Sequence, residues 1–226
     1  MPDWLQLMLN SLPTLLWAAL IFTAPLTLLS FVFGLAVGLA TALARLFGPK
    51  PLVAVARFYV WIFRGTPLLV QLFLIFYGLP SAGILLDAFT AALIGFTLNV
   101  GAYSSEIIRA VIASVPRGQW EAAYSIGMTW NQAMRRTILP QAARTAVPPL
   151  SNTFISLVKD TSLAAAITVP EMFQAAQRIV ATTYEPLILY IEAALLYLAM
   201  SSVLSALQVR LEARLNRYGG FLETRA

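Results

Sequence analysis

The chain contains no histidine and no cysteine among its 226 residues. Without cysteine it can form no disulfide bond and has no thiolate nucleophile. Without histidine it lacks the commonest metal ligand and the commonest general base. It also lacks a glycine-rich loop of the GxxxxGK[ST] type, in which ATP phosphates are usually bound. These absences argue against an enzyme, so we predict no catalytic residues and no metal site.

Charged residues are scarce as well, at 11% of the chain, whereas 59% of the residues are hydrophobic. Three long stretches carry no charge at all, at residues 4–44, 65–86 and 88–105. A helix needs roughly 20 apolar residues to cross the hydrocarbon core of a bilayer, which these stretches provide. The first stretch is too long, and too poor in basic residues near its start, for a cleaved signal peptide. The composition therefore predicts a multi-pass membrane protein.

Hydropathy predicts one all-α membrane domain over residues 1–226, with five membrane-spanning helices. Lys159 and Asp160 interrupt the fourth of them. The predicted spans are residues 17–44, 58–79, 88–109, 147–168 and 187–209.

Two shorter features refine this picture. Gly34 and Gly38 form a small-residue pair in the first span, which lets another helix approach closely. We expect this partner helix to belong to the same chain. Residues 170–186 have the pattern of a short amphipathic helix, which we place on the outer surface or over the fourth span. Its apolar face is formed by Met172, Phe173, Ala176 and Ile179.

Basic residues concentrate in alternate loops and in the C-terminal tail. By the positive-inside rule the N-terminus lies outside, and residues 110–146 and the C-terminus lie in the cytoplasm. An odd number of spans also puts the two ends of the chain on opposite sides of the membrane. The number of spans and the distribution of basic residues therefore predict the same orientation. Because the net charge of +5 lies at the ends of hydrophobic runs, it argues for membrane orientation rather than nucleic-acid binding. The basic residues are Arg45, Lys50 and Arg57, then Arg109, Arg117, Arg135, Arg136 and Arg144, and finally Arg210, Arg214, Arg217 and Arg225.

The cytoplasmic loop contains the segment Glu121-Ala-Ala-Tyr-Ser-Ile-Gly127, followed by Ile138-Leu-Pro140. Pro116 and Gly118 should end the preceding helix, so that Glu121 falls in the first turn of a new one. A carboxylate is favoured there by the helix N-terminus. The residues alone leave two interpretations open: a segment that docks on another protein, or an amphipathic helix at the membrane surface.

This segment resembles the EAA loop of bacterial ABC importer permeases, which docks on a separate ATPase subunit. The resemblance implies that Glu121, Ala122, Ala123 and Gly127 contact this ATPase. Leu139 and Pro140 are also in register with the family pattern. The chain departs from the pattern at Thr137, where a branched apolar residue is usual, and has Ile138 one place later.

Further segments are similar to the polar amino-acid permeases of the type I ABC importers, and the resemblance covers nearly the whole chain. They are Phe63–Phe73, Asn99–Glu106 and Leu157–Leu163. Gly118–Ala123 and Pro140–Asn152 look especially like permeases of cystine and diaminopimelate importers. The implied fold is the MetI-like permease fold, with five transmembrane helices and a cytoplasmic coupling helix. The implied function is ATP-driven import of a polar amino acid, L-cystine or a related one.

The resemblance also implies an assembly in the bacterial inner membrane. It would contain two permease chains, identical or different, and two ATPase subunits that bind ATP and magnesium. A periplasmic or lipid-anchored amino-acid-binding protein would deliver the substrate. We expect this chain itself to bind no cofactor and no nucleic acid.

Polar residues at membrane depth are costly and are therefore candidates for the substrate path. Asn99, Tyr103 and Glu106 recur at helical spacing and form a stripe along the third span. Gln71 follows Pro67 by one turn in the second span. The alternative is that these groups only form hydrogen bonds between helices. Arg64 either reaches the membrane surface or has a gating role.

Residues Lys159 to Ser162 form the other costly cluster. Lys159 and Asp160 either neutralise each other or mark a break in the fourth span that lines a central cavity. In the second case Asp160 would meet the ammonium group of a ligand and Ser162 its carboxylate. The predicted substrate-path residues are Gln71, Asn99, Tyr103, Asp160 and Ser162.

Two other functional classes remain as alternatives. A stand-alone secondary carrier or channel would more often show two related halves, and five spans do not divide evenly. An intramembrane hydrolase would need a nucleophile and a base, which the missing histidine and cysteine disfavour. The carrier or channel alternative also leaves the segment at Glu121–Gly127 unexplained.

Overall fold

The computed structural model describes residues 3–217, and this part of the chain is built from helices, as predicted. Arg225, one of the basic residues that suggest the orientation, lies outside the described residues. The helices are α1 (Asp3–Ala18), α2 (Ala24–Phe47), α3 (Lys50–Gly65), α4 (Leu68–Phe73), α5 (Ala88–Ala113), α6 (Arg117–Ser125), α7 (Trp130–Ala133), α8 (Leu139–Asp160), α9 (Met172–Thr183) and α10 (Pro186–Arg217). Single π-helical turns follow α1, α4 and α7, and a 3-10 helix, Thr161–Ile167, follows α8.

Three helices of the described part are long and apolar enough to cross a membrane: Asp3–Phe47, Ala88–Ala113 and Pro186–Arg214. A bent pair, Lys50–Gly65 with Leu68–Ala82, counts as a fourth if its two arms form one span. The predicted fourth span, residues 147–168, does not meet this standard, because α8 carries polar and charged side chains. The five-span topology therefore remains a prediction.

The first helix is longer than its predicted span, which starts at residue 17. It runs from Asp3 to Phe47, and a π-helical turn at Ala19–Thr23 joins α1 to α2. The N-terminal part is held by α9 and α10, since Leu15 is fully buried in a cluster with residues of both helices. Its Ser11 hydroxyl also donates a hydrogen bond to the Glu192 carboxylate of α10.

The predicted second span, residues 58–79, is not one straight helix. Helix α3 ends at Gly65, and the chain bends by 108° before α4 begins at Leu68. The cause is local, because Pro67 has no N–H to donate and disfavours the helical conformation of the residue before it. Thr66 accordingly has extended backbone angles, φ −118° and ψ 149°.

Helices α2 and α5 form the most extensive contact of the fold. A Cβ atom at Gly34 would lie 2.6 Å from Cγ1 of Val100, and one at Gly38 would lie 2.9 Å from Cβ of Ser104. From the other side, a Cβ atom at Gly101 would lie 2.8 Å from Cγ1 of Val37. The glycine pair therefore packs within the chain, which confirms the prediction.

Helix α9 is the short amphipathic helix predicted over residues 170–186. Met172 and Ala176 are fully buried, with Phe173 and Ile179 packed beside them, as the predicted apolar face requires. The helix lies mainly between α1 and α10, and only its start contacts the 3-10 helix at the end of the predicted fourth span. The predicted position over that span is therefore only partly correct.

Candidate functional site

A cavity of about 510 Å³ lies where α5 faces α8 and the start of α4. Asn99 and Tyr103 reach it from α5, and Asp160 from the end of α8. Three of the five predicted path residues therefore lie together on this cavity. Its polar lining consists of Thr66, Asn99, Tyr103, Asn152, Thr153, Ser156 and Asp160, and apolar residues such as Leu68, Val100, Leu157 and Leu163 complete it.

Gln71 is not among the lining residues but lies behind Asn99. It is buried, and its Oε1 accepts a hydrogen bond from Asn99 Nδ2 at 3.0 Å. Its Nε2 lies 2.9 Å from the Phe63 carbonyl oxygen and 2.9 Å from the Thr66 hydroxyl. Gln71 thus replaces backbone partners that the bend at Thr66 and Pro67 removes. Its amide fixes both the bend and the orientation of Asn99.

The predicted break near Lys159 is present. Helix α8 ends at Asp160, and the 3-10 helix Thr161–Ile167 continues the chain. The Ser162 hydroxyl donates to the Lys159 carbonyl oxygen at 2.7 Å and is not among the lining residues. Lys159 and Asp160 form no ion pair with each other in the described part of the chain. The Asp160 carboxylate therefore lines the cavity without a direct ion pair to Lys159, whose charge still acts on it from a distance.

Sequence reasoning missed the polar face of α8. Asn152, Ser156 and Asp160 follow one another at intervals of four residues, so one face of the helix carries all three into the cavity. Thr153 lies beside them. The Asn152 side-chain oxygen accepts a hydrogen bond from Gln208 of α10 at 3.0 Å. This spacing is visible in the sequence and was the signal that could have found these residues.

Glu106 does not line the cavity, although it belongs to the predicted polar stripe. Its carboxylate bonds to Arg45 of α2 and, at 2.9 Å, to Nη2 of Arg109. A third guanidinium group, that of Arg64, lies 3.6 Å from it and 5.3 Å from the centre of the Tyr103 ring. The alternative interpretation, a contact between helices, therefore describes Glu106 better than a substrate contact.

The segment that resembles the EAA loop is helix α6 and the turn after it. Gly127 has φ +79°, a left-handed conformation that glycine adopts without strain. The Gly127 amide donates to the Tyr124 carbonyl oxygen, and the Met128 amide donates to that of Ala123. This pair of bonds is a Schellman motif, which satisfies the last carbonyl groups of a helix. The predicted change of direction at Gly127 is confirmed.

The position of Glu121 differs from the prediction. Pro116 precedes the first helical residue and Gly118 stays inside the helix, so Glu121 lies in the second turn and not the first. The helix N-terminus therefore gives its carboxylate little support. Glu121 and Ala122 are exposed, whereas Ala123 is 3% exposed and packs inside the chain.

Helix α6 is held against the membrane helices from one side. The Gln141 side chain of α8 donates to that of Gln119 at 2.9 Å, and Trp120 packs on a cluster formed by α2, α5 and α8. The other side presents the exposed side chains of Glu121, Tyr124 and Ile126, the last of them 73% exposed. Helix α6 therefore presents a small exposed surface on the side away from the membrane helices.

Comparison with known proteins agrees with this arrangement. Residues 34–217 match the family model described as "Binding-protein-dependent transport system inner membrane component". The chain is 57% identical to the L-cystine transport system permease protein TcyB of Bacillus subtilis (strain 168), over 87% of this chain and 85% of that one. It is 44% identical to the probable amino-acid ABC transporter permease protein YckA of the same organism, over 87% of each.

A solved structure is similar as well. The crystal structure of an amino acid ABC transporter with histidines contains a chain that is 38% identical. Its TM-score is 0.88, and the match covers 95% of this chain and 99% of that chain.

Proposed function

The chain belongs to the family of binding-protein-dependent transport system inner membrane components, and we propose that the amino acid it conducts is L-cystine or a close relative. It is a multi-pass membrane permease subunit of the ABC importer type and not an enzyme. Hydrolysis of ATP in such systems takes place on a separate subunit. Our proposal concerns the identity of the amino acid, the residues along its path and the subunits of the assembly.

The cavity between α5 and α8 is the observation that carries this proposal. An amino acid needs acceptors for its ammonium group and donors for its carboxylate. Asp160 is the acidic residue of the cavity lining, and Asn99, Tyr103, Asn152 and Ser156 supply donors and acceptors around it. A zwitterion that crosses a membrane requires such partners, because unpaired charges are costly there. The identity to the cystine permease of Bacillus subtilis supports L-cystine as the substrate.

The experiment is a competition assay for uptake of radiolabelled L-cystine by the complete transporter. Unlabelled L-cystine and diaminopimelate should compete, whereas arginine and histidine should compete poorly. Absence of ATP-driven L-cystine uptake, together with uptake of radiolabelled arginine by the same preparation, would contradict the proposed substrate and leave the permease function intact.

The partners follow from the family and from the exposed surface of α6. Permeases of this kind work with an ATPase and a substrate-binding protein. We propose two ATPase subunits, each binding ATP and magnesium, that contact Glu121, Ala122 and the turn at Gly127. Ala123 supports this surface from inside. A second permease chain, identical or different, completes the path, and a periplasmic or lipid-anchored protein delivers the amino acid.

The proposed orientation places the N-terminus outside the bacterial inner membrane and the C-terminus in the cytoplasm. It rests on the basic loops and on the need of α6 to reach an ATPase. In liposomes the chain alone should transport nothing, and adding the ATPase and the binding protein should restore ATP-driven uptake. Uptake by the chain alone on an ion gradient would instead favour a secondary carrier.

A further inference from the structure

Three guanidinium groups surround the Glu106 carboxylate where α2, α3 and α5 meet, and a fourth, that of Arg57, lines the same cavity. This arginine cluster consists of Arg45, Arg57, Arg64 and Arg109 with Glu106. Arg45 bonds to Oε1 of Glu106 and Arg109 to Oε2, so both carboxylate oxygens are already engaged. Arg64 makes only a longer contact of 3.6 Å. One negative charge therefore faces four positive ones, and the cluster has an excess of positive charge.

A cavity of about 430 Å³ opens at this cluster, and Tyr103 lines both this cavity and the polar cavity that Asp160 lines. Arg45, Arg57, Arg64 and Trp61 line it together with Glu106. Within residues 3–217, Arg57 makes no hydrogen bond or ion pair. The buried Nε atom of Arg45 also has no hydrogen-bond partner there. Donors thus converge on this cavity without enough acceptors.

The helix that carries Arg57 and Arg64 has the surface of an interfacial helix. Val55, Phe58 and Trp61 of α3 are 65%, 60% and 71% exposed. Arg57 and Arg64 lie seven residues apart, so they project from the same side of the helix. An exposed apolar face beside basic side chains is typical of a helix at the membrane surface, where tryptophan also concentrates.

We propose that the arginine cluster binds the phosphate of an anionic phospholipid, whose acyl chains lie on the exposed apolar face of α3. Guanidinium groups bind phosphate oxygens with two parallel hydrogen bonds, so Arg57 and Arg64 are suited to this ligand. Glu106 holds Arg45 and Arg109 in place beneath them. A soluble anion would use only the charges, whereas a phospholipid also uses Val55, Phe58 and Trp61. The phosphate site adjoins the proposed amino-acid path, with which it shares Tyr103.

The test titrates the purified full-length chain in detergent with phosphatidylglycerol or phosphatidylcholine and counts bound lipid by native mass spectrometry. Phosphatidylglycerol should bind more tightly. Arg57→Gln should weaken it roughly fivefold, the effect of one basic residue at a membrane surface. Arg57→Lys keeps the charge but loses the paired hydrogen bonds, so it should weaken binding less than Arg57→Gln but measurably. The matched control is Arg210→Gln, which removes an exposed arginine of α10 outside the cluster and should change the affinity little.

Three results would overturn the proposal. Equal affinity for phosphatidylglycerol and phosphatidylcholine would show that the cluster does not recognise the headgroup charge. An equal loss in Arg57→Gln and Arg210→Gln would indicate general attraction to the protein surface. Displacement of the lipid by inorganic phosphate at equal concentration would assign the cluster to a soluble anion. None of these measurements requires the ATPase or an amino-acid substrate, so they stand apart from the proposed transport function.

Discussion

Gly127→Ala tests whether the turn after α6 is what the ATPase recognises. Gly127 has φ +79°, and no atom lies within 4 Å of the position that a Cβ atom would take. The penalty of the substitution is therefore conformational and not steric. An L-residue in the left-handed region costs roughly 1–2 kcal/mol, which corresponds to a factor of about 5–30 in the equilibrium constant between the native turn and other conformations.

The dissociation constant of the ATPase should rise by at most the same factor, because the free loop of the variant populates other conformations and must regain the turn on binding. The assay titrates purified ATPase onto the immobilised full-length permease. Gly127→Asp should weaken binding as well, while the permease still inserts in the membrane.

The matched control is Gly118→Ala, in the same short helix. A Cβ atom at Gly118 also meets no atom within 4 Å, but its backbone is helical, so alanine should be tolerated or slightly stabilising. An unchanged dissociation constant in Gly127→Ala would refute the reasoning. An equal loss in both variants would show that any change in α6 disturbs docking and that the turn has no special role.

Other predictions concern the cavity and the packing of the helices. Asp160→Ala should lower the ratio of maximal uptake rate to half-saturating substrate concentration by about tenfold to 150-fold, and Asn99→Ala should lower it by about two- to tenfold. Assembly and ATP hydrolysis should be retained, which uptake and ATPase assays on one preparation would check. Gly34→Ala should destabilise the chain by about 1–3 kcal/mol through overpacking, seen as earlier thermal unfolding in detergent. Asp87 caps the N-terminus of α5, and hydrogen bonds from Thr90 lower the pKa of its carboxyl group. The ionised cap therefore stabilises the folded chain fully at neutral pH, and this contribution is lost as the pH falls below about 4. Thermal unfolding of Asp87→Asn should lack this acid dependence.

The elements that the sequence predicted well depend on local patterns. The apolar face of α9, the glycine contact of α2 and the turn at Gly127 follow from spacing or from the special backbone of glycine. The break after Asp160 was predictable because charged residues at membrane depth rarely lie against lipid.

The rest depends on distant contacts or on local strain that hydropathy does not register. The 108° bend at Thr66 and Pro67 lies inside an uncharged run that reads as one span. Gln71 was predicted as a path residue, but its hydrogen bonds to Phe63 and Thr66 support the bend. Its contact with Asn99, 28 positions away, could not be inferred from spacing. Arg45 and Glu106 are 61 positions apart, so their pairing could not be inferred from spacing.

The contact between α2 and α5 limits how the cavity can change its width. Because Gly34, Gly38 and Gly101 leave no gap for sliding, the two helices should move as a single rigid body. Asn99 and Tyr103 belong to that body, whereas α8 contacts α5 much less extensively. Opening and closing of the path should therefore be a displacement of α8 past a stationary wall. The polar face from Asn152 to Asp160 would be the moving surface.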